Sequence, residues 1–203
     1  APRAVGNNRY YTSDEEYFEA VGEAMREEYR AITDAGFLLQ LDSPELAMAW
    51  NRVEFAEKTF ADYRQFVAHH IAAINYALEG IPADRVRLHL CWGNYEGPHI
   101  HDVPLAEVVD LLLAVRAGAY SVEAANPRHA HEWQVWEDVK LPEGRILIPG
   151  VIDSTTNFIE HPEVVAQRIE QFARIVGKEN VVAGTDCGFG TSAGRSAVHP
   201  ELV

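Results

Sequence analysis

The segment RLHLCWGN carries a histidine and a cysteine two residues apart, His89 and Cys91, and a second cysteine, Cys187, follows in GTDCGFG. Thiolate and imidazole are the ligands that Zn²⁺ prefers in proteins, and a carboxylate can complete its tetrahedron. A thiol bound to such an ion is deprotonated near neutral pH, and the thiolate is the form that attacks carbon. These residue types therefore indicate either a zinc centre for thiol chemistry or a cysteine and a histidine that only pack in the core.

The predicted strand around the first pair decides how its side chains project. Side chains alternate between the two faces of a strand, so in VRLHLC those of His89 and Cys91 share one face, about 7 Å apart along the strand. Glu123 lies near the end of the next predicted strand, and Cys187 lies at or just past the end of the last one. If these strands are neighbours in one parallel sheet, the four groups gather at one rim. The predicted zinc ligands are His89, Cys91, Glu123 and Cys187.

Helical and strand patterns alternate along the chain. Helices are predicted over 12–36, 54–80, 104–118 and 162–177, and strands over 37–42, 86–91, 119–124, 145–153 and 181–188. Such alternation predicts an α/β protein with a parallel sheet of βα units, and in such sheets function lies at the carboxyl ends of the strands. The pattern fits an open doubly wound sheet or a piece of a (βα)8 barrel, in one domain over residues 1–203.

The composition excludes several classes of partner. The chain has 203 residues and a formal net charge of −14, and nucleic acids and anionic membranes are bound by basic patches, so neither is an expected partner. It has no run of apolar residues long enough to span a membrane, and its first residues show no signal peptide. The two cysteines suit a reducing compartment, so we expect a cytoplasmic protein.

Polar residues beyond the predicted strand ends are further candidates for the site. Asn126 follows the Glu123 strand and can meet an anionic group of a substrate, and Asp153 ends the strand before Cys187. Asp186 is suited to accept hydrogen bonds around a metal ligand. Two His-x-His pairs, His99 with His101 and His129 with His131, either act as acid and base in the pocket or are solvated loop residues.

Three of these motifs, taken in order, resemble the cobalamin-independent methionine synthase family: HLC at a strand end, the glutamate of SVEAANPR, and GTDCGFGT. The resemblance implies a (βα)8 barrel and a zinc ion held by a His-x-Cys pair, a glutamate and a distant cysteine. The matching residues are His89, Cys91, Glu123 and Cys187. The segment LLQLDSPELAM resembles the family's Q-x-D-E-P-A strand, whose aspartate helps to hold an amino-acid substrate, and it implies the same role for Asp42.

The resemblance covers roughly residues 30–195, as the fourth to eighth strands of the barrel. It implies that the chain is the carboxyl-side part of a longer enzyme, completed by the missing barrel half or by a homo-oligomer. Methionine synthases have a histidine in a D-I-H-S setting, where this chain has Ser154 and Thr155. The loop WGNYEGPHIHDVP instead resembles the branch that contains epoxyalkane:coenzyme M transferase.

The activity that the resemblance implies is zinc-dependent transfer of a methyl or other alkyl group from a donor to a small-molecule thiol. In the methionine synthase type, the donor is 5-methyltetrahydropteroyltriglutamate and the thiol is homocysteine. Three alternatives stay open: opening of an epoxide by a thiol of the coenzyme M type, hydrolysis by a zinc-bound hydroxide, and an inactive metal-binding fragment.

Overall fold

Five parallel strands form a single sheet in a computed structural model of the protein, which describes residues 8–51, 55–94, 97–190 and 198–202. The strands are β1 Leu39–Asp42, β2 Val86–Leu90, β3 Ala119–Val122, β4 Ile146–Ile152 and β5 Gly184–Thr185. Their order in the sheet is their order in the chain, and every neighbouring pair is parallel. Consecutive strands of a (βα)8 barrel have this topology, and the five strands correspond to part of one, so the prediction of an α/β partial barrel is confirmed.

One helix precedes the first strand, and the others lie in the connections between strands. They are α1 Asp14–Asp34, α2 Glu45–Met48, α3 Phe60–Ala77, α4 Val109–Ala114, α5 Val135–Asp138 and α6 Pro162–Val176. The ends of two long helices follow from local sequence: the Ser13 hydroxyl accepts the Glu16 N–H at the start of α1, and Pro162 opens α6. No helix of the described residues is both long and apolar enough to cross a membrane.

The predicted helix over 104–118 is wrong as a continuous element. A 3-10 turn over Leu105–Glu107 precedes α4, and between them Val108 has φ −133° and ψ −2°, outside the helical range. The predicted last strand, 181–188, is also too long. The register of β4 and β5 shifts between Gly150 and Ile152, which limits regular pairing to two residues of β5.

The hydrophobic core lies between the sheet and the helices. On β2, the alternate residues Val86, Leu88 and Leu90 are buried, as the strand pattern predicted, and Tyr120 and Leu147 continue this core on β3 and β4. The helices α1 and α3 pack against each other on the side of β1. Among the described residues, β1 pairs only with β2 and β5 only with β4, so the sheet has two free edges.

Candidate metal centre

Three of the four predicted ligands meet at the carboxyl ends of the strands. His89 is the penultimate residue of β2, Cys91 follows the end of β2, and Cys187 lies two residues beyond β5. One ligand atom of each lies within 4.8 Å of the other two. Because β2 and β5 are not neighbours in the sheet, these residues can meet only where the sheet curls round. The curl of the half-barrel therefore assembles the cluster.

The two cysteines are free thiols at close range. Their Sγ atoms are 3.7 Å apart, well beyond the S–S bond length of about 2.05 Å. The Cys91 Sγ also accepts a hydrogen bond of 3.2 Å from the Gly93 N–H, which leads into the loop after β2. Both thiols are half-buried. A pair of unlinked thiols beside an imidazole is a donor set that suits a soft or borderline metal ion.

The imidazole of His89 is fixed through one of its nitrogens. Its Nδ1 lies 3.2 Å from the Oγ of Ser121, the residue opposite it on β3. Its Nε2 is buried and has no hydrogen-bond partner among the described residues. Histidines that bind metals usually have their other ring nitrogen hydrogen bonded, which sets the orientation of the ring. The unpaired Nε2 is therefore the nitrogen available to an ion.

The cluster favours a thiolate beside an imidazole. The hydrogen bond from the Cys91 thiol and the nearby His89 ring lower the pKa of Cys187, and the same pairing with Cys187 raises the pKa of Cys91. Burial alone lowers the pKa of His89, but the nearby Cys187 and the other negative charges around the ring raise it overall.

Glu123, the fourth predicted ligand, lies outside this close group. It follows the end of β3, is only 2% exposed, and its Oε1 accepts the backbone N–H of Trp92 at 3.0 Å. Its Oε2 accepts the Asn126 amide at 2.8 Å and the Arg128 guanidinium at 3.2 Å. Burial raises the pKa of Glu123, and the Trp92 N–H opposes that rise. Its role as a metal ligand stays a prediction.

Both polar groups of the Asn126 side chain are hydrogen bonded within the protein. Its Nδ2 is shared between Glu123 and Asp186, at 2.8 Å from each carboxylate. Its Oδ1 accepts the backbone N–H and the Nε–H of Arg128, both at 3.1 Å. The side chain is 2% exposed. Asn126 therefore supports Glu123 directly, and its predicted contact with a substrate stays a prediction.

The two predicted substrate aspartates differ in environment. Asp42 ends β1 opposite His89 in the sheet register, is exposed, and accepts the Gln40 amide at 3.3 Å. Asp153 follows β4, is buried, and its Oδ1 accepts the backbone N–H and the hydroxyl of Thr155 at 2.9 and 2.8 Å. Both lie at the edge of the sheet that holds the cluster. Their contact with a substrate stays a prediction.

Asp186 joins β5 to the loop after β3. Its Oδ1 accepts the N–H groups of Ala124 and Ala125 at 2.8 Å, and its Oδ2 accepts the Asn126 N–H at 2.7 Å and its amide at 2.8 Å. Burial raises the pKa of Asp186, and these hydrogen bonds oppose that rise. Through these hydrogen bonds, Asp186 supports the loop that directly follows Glu123.

Sequence reasoning missed three residues that hold the cluster in place. A Cβ on Gly150 would lie 1.9 Å from the Asp186 Oδ1, so only glycine admits that carboxylate. The Ser154 Oγ accepts the Cys187 N–H at 3.1 Å and donates to the Asn94 Oδ1 at 3.3 Å. A glycine inside a strand pattern is a sign of such a close approach. The serine and asparagine carry no comparable signal.

The two His-x-His pairs each contain one buried and one exposed histidine. The side chains of His99 and His129 are 2% and 3% exposed, whereas His101 and His131 are exposed. His129 lies against the Trp92 ring, with centroids 4.2 Å apart. The interpretation as solvated loop residues is therefore wrong for His99 and His129.

Comparisons with known proteins agree with this geometry. A family model described as the catalytic domain of cobalamin-independent synthase matches residues 5–202. The chain is 25% identical over 182 residues to a methionine synthase of Thermococcus kodakarensis, covering 89% of the chain and 46% of that protein. It is 24% identical over 208 residues to the 2-hydroxypropyl-CoM lyase of Xanthobacter autotrophicus, covering 90% of the chain and 51% of that protein.

A solved structure shares the fold. The B12-independent methionine synthase from Shewanella sp. W3-18-1 superposes with a TM-score of 0.68 at 20% identity, over 92% of this chain and 52% of that one. The chain thus spans about half the length of the curated relatives and of this structure.

Proposed function

The chain belongs to the family of cobalamin-independent synthase catalytic domains, and from this premise we propose that it transfers a methyl or other alkyl group to a thiol with the help of a zinc ion. The observation that carries the proposal is the cluster of His89, Cys91 and Cys187 at the carboxyl ends of the strands. Relatives named as methionine synthases support methyl transfer. For the donor and the thiol, we propose the folate-type donor and the homocysteine that the resemblance of the sequence motifs implies.

The residues present fit zinc. Two thiolate ligands, each about 2.3 Å from an ion at the tetrahedral angle, stand about 3.8 Å apart. The Sγ atoms of Cys91 and Cys187 stand 3.7 Å apart without any bond between them. The buried, unpaired Nε2 of His89 supplies a third donor. The ion, when bound, would supply the positive charge that keeps a substrate thiol deprotonated near neutral pH.

We propose that Glu123 would hold the ion as a fourth ligand and would be the ligand that a substrate thiol could replace. Its carboxylate already has three donors in the protein: the Trp92 N–H, the Asn126 amide and the Arg128 guanidinium. A carboxylate released from an ion would therefore remain hydrogen bonded rather than lie buried and bare, which is costly. The thiolate sulfur would then attack the electrophilic carbon of the alkyl donor. As the C–S bond formed, the bond from that carbon to the donor would break, and the donor would leave with the electron pair and take up a proton.

The proposed substrate contacts lie on the same rim. Asp42 is exposed at the end of β1 and can pair with the amino group of an amino-acid thiol. We propose the Asp153 carboxylate and Asn126 as further contacts. The side chain and the backbone N–H of Asn126 are already hydrogen bonded within the protein, so a substrate would have to take the place of one of these partners.

A second candidate is the addition of a thiol to an epoxide. The relative named 2-hydroxypropyl-CoM lyase supports it, since the chain is as similar to that protein as to the methionine synthases. The same activated thiolate would serve, with an epoxide carbon in place of the methyl group. The two candidates share the cluster and differ only in the electrophile.

We propose that residues 1–203 form one domain, the carboxyl-side part of a barrel. The chain spans about half the length of its curated relatives, and its sheet has two free edges among the described residues. Closing a barrel removes such edges. The full activity would then require the complementary βα units, supplied by the missing barrel half or by another copy.

Metal binding and thiol binding test the proposal. We expect the purified chain to hold close to one zinc ion, and we expect His89→Gln, Cys91→Ser and Cys187→Ser each to weaken its binding in competition with a chromophoric chelator. The control is His69→Gln, which changes an exposed histidine on α3. Zinc-edge X-ray absorption should then show one added sulfur ligand when homocysteine or 2-mercaptoethanesulfonate is present.

Two results would overturn thiol activation. One is a wild-type chain that takes up no zinc, and the other is a bound zinc whose ligands stay unchanged with every thiol. In the latter case, the zinc would serve hydrolysis or a non-catalytic role. Product analysis on the chain combined with its complementary barrel units, with a methyl donor or an epoxide as electrophile, separates the two candidate reactions.

A further inference from the structure

Two imidazoles and two carboxylates form a polar network between the loops that follow β2 and β3, in which His99, His129 and Glu132 have buried side chains and Asp102 is 13% exposed. The His99 Nδ1 lies 3.0 Å from the Asp102 Oδ1, and the Asp102 Oδ2 lies 3.4 Å from the His129 Nε2. The His129 Nδ1 then lies 2.8 Å from the Glu132 Oε2. His99 and Asp102 belong to the first loop, and His129 and Glu132 to the second. This polar network therefore joins the two loops.

Trp92 connects this polar network to the candidate metal centre. Its ring lies on that of His129, and its indole N–H donates to the Val103 carbonyl at 2.6 Å. Its backbone N–H donates to the Glu123 Oε1 at 3.0 Å, and it directly follows Cys91. Trp92 is 1% exposed. Its position therefore sets both the main chain at Cys91 and the orientation of the Glu123 carboxylate.

Glu132 anchors His129 and the far end of the first loop together. Its Oε2 faces the His129 Nδ1, while its Oε1 accepts the backbone N–H of Leu105 at 2.7 Å. The Glu132 side chain is 6% exposed. Because both oxygens are used, the carboxylate fixes the plane of the imidazole relative to the loop that carries Trp92.

Joining two loops does not by itself require polar side chains. Burying charged groups is costly, and apolar residues of similar volume often hold two elements together as well or better. A hydrogen-bonded imidazole differs from an apolar residue in one respect, because its partners fix the orientation of the ring. The polar network is therefore explained by a need to orient Trp92, which packs on the His129 ring.

We propose that His129 is a positioning residue for the metal centre: held by Glu132, it orients Trp92 so that the Trp92 N–H directs Glu123 toward the ion. The inference rests on the function proposed above, since it gives Glu123 the role of a ligand. His129 touches neither substrate nor metal in this role. It acts through one ring contact and one backbone hydrogen bond.

Metal binding by variants of the full chain tests this inference. His129→Phe keeps an aromatic ring against Trp92 but removes the hydrogen bond to Glu132, and Glu132→Gln weakens the same bond from the other side. We expect each to lower the affinity for zinc by about 10- to 100-fold. The double variant should lose no more than either single one, because both changes break one connection. The control is His131→Phe, at an exposed position two residues away.

The absorption spectrum of Co²⁺ bound in place of zinc separates positioning from a merely structural role. We expect the ligand-field bands of His129→Phe to shift toward those of Glu123→Gln, while the thiolate charge-transfer bands remain. Lower occupancy with an unchanged spectrum, or wild-type affinity in both His129→Phe and Glu132→Gln, would overturn the inference. Should His129→Phe fail to fold, Glu132→Gln gives the same readout. A wild-type chain that binds neither Zn²⁺ nor Co²⁺ would overturn the proposed function and this inference with it.

Discussion

At the scale of single residues, Asp186 supports the site by holding a neighbouring loop through its carboxylate. Its carboxylate accepts four hydrogen bonds from three consecutive residues of the loop after β3, which is the loop that carries Glu123 into the site. Each carboxylate oxygen accepts two N–H groups. A side chain with one oxygen and one amide group cannot replace it, because an amide nitrogen would face two donors.

Asp186→Asn should therefore destabilise the protein although it keeps the shape of the side chain. We expect a loss of about 3 kcal/mol in the free energy of unfolding, since hydrogen bonds to a buried charge are strong and donors left unpaired are costly. Urea denaturation followed by tryptophan fluorescence measures it. The control is Asp138→Asn, at an exposed position, which should change stability by less than about 0.5 kcal/mol. Equal stability of the two variants would contradict the role given to Asp186.

Gly150 is the counterpart of Asp186 on β4. A Cβ at this position would lie 1.9 Å from the Asp186 Oδ1 and 2.7 Å from its Cα, so movement of a side chain alone cannot relieve the overlap. We expect Gly150→Ala to lower the free energy of unfolding by about 2–3 kcal/mol and to weaken zinc binding by displacing Cys187.

Gly36→Ala is the matched control for that substitution. Gly36 has φ +90° and open space around its Cα, so alanine there meets only backbone strain of about 1 kcal/mol. Both variants are measured by thermal unfolding and by competition with a zinc chelator. Wild-type zinc affinity in Gly150→Ala would contradict the role of Gly150 in placing Cys187.

The sequence predicted some residues of the site and not others, for physical reasons. His89 and Cys91 could be paired because alternation along a strand is a local property, and Cys187 because strand ends of a parallel sheet share one edge. The burial of His129 beside an exposed His131 could not be predicted. Their loop has no regular period, and its conformation depends on contacts with Trp92 and Asp102, which are distant in sequence.

At the scale of elements, some helix boundaries could likewise be predicted from the sequence and others could not. The predicted helix over 54–80 extended too far at its start, since residues 55–59 are not α-helical and residue 54 lies outside the described residues. The signal for the true start was present: Thr59 and Asp62 have the spacing of a capping box. The break at Val108 had no such signal, because it lies within an apolar run that suits a continuous helix.

The capping box of α3 yields a prediction about this helix. The Thr59 hydroxyl accepts the Asp62 N–H at 3.2 Å, and the Asp62 carboxylate accepts the Thr59 N–H at 2.8 Å. Thr59→Ala should lower the free energy of unfolding by about 1 kcal/mol, because it leaves a helix donor unpaired. Glu57→Ala, two residues earlier and exposed, is the control and should have no measurable effect. Equal effects of the two variants in chemical denaturation would argue against the cap.

At the scale of the whole molecule, the half-barrel leaves its sheet open on both sides. Within the described residues, β1 and β5 each pair with one neighbour only. Large apolar side chains stand beside these edges, with Phe37 67% and Leu38 54% exposed before β1 and Val182 50% exposed before β5. Free edges with exposed apolar residues favour association with other strands. The complementary units of the barrel would cover them.

The chain on its own should therefore self-associate through the β1 edge. We expect the average mass in sedimentation velocity to rise with protein concentration, and we expect the double variant Phe37→Lys with Leu38→Lys to shift it toward the monomer, since charged residues oppose edge pairing. Phe158→Lys removes an equally exposed apolar side chain (81%) from the loop after β4, away from this edge, and should leave association unchanged. A monomer at every concentration, or equal effects of both variants, would contradict edge-driven association. Addition of the complementary barrel units should suppress the association of the wild-type chain, because those units and a second copy would compete for the same edge.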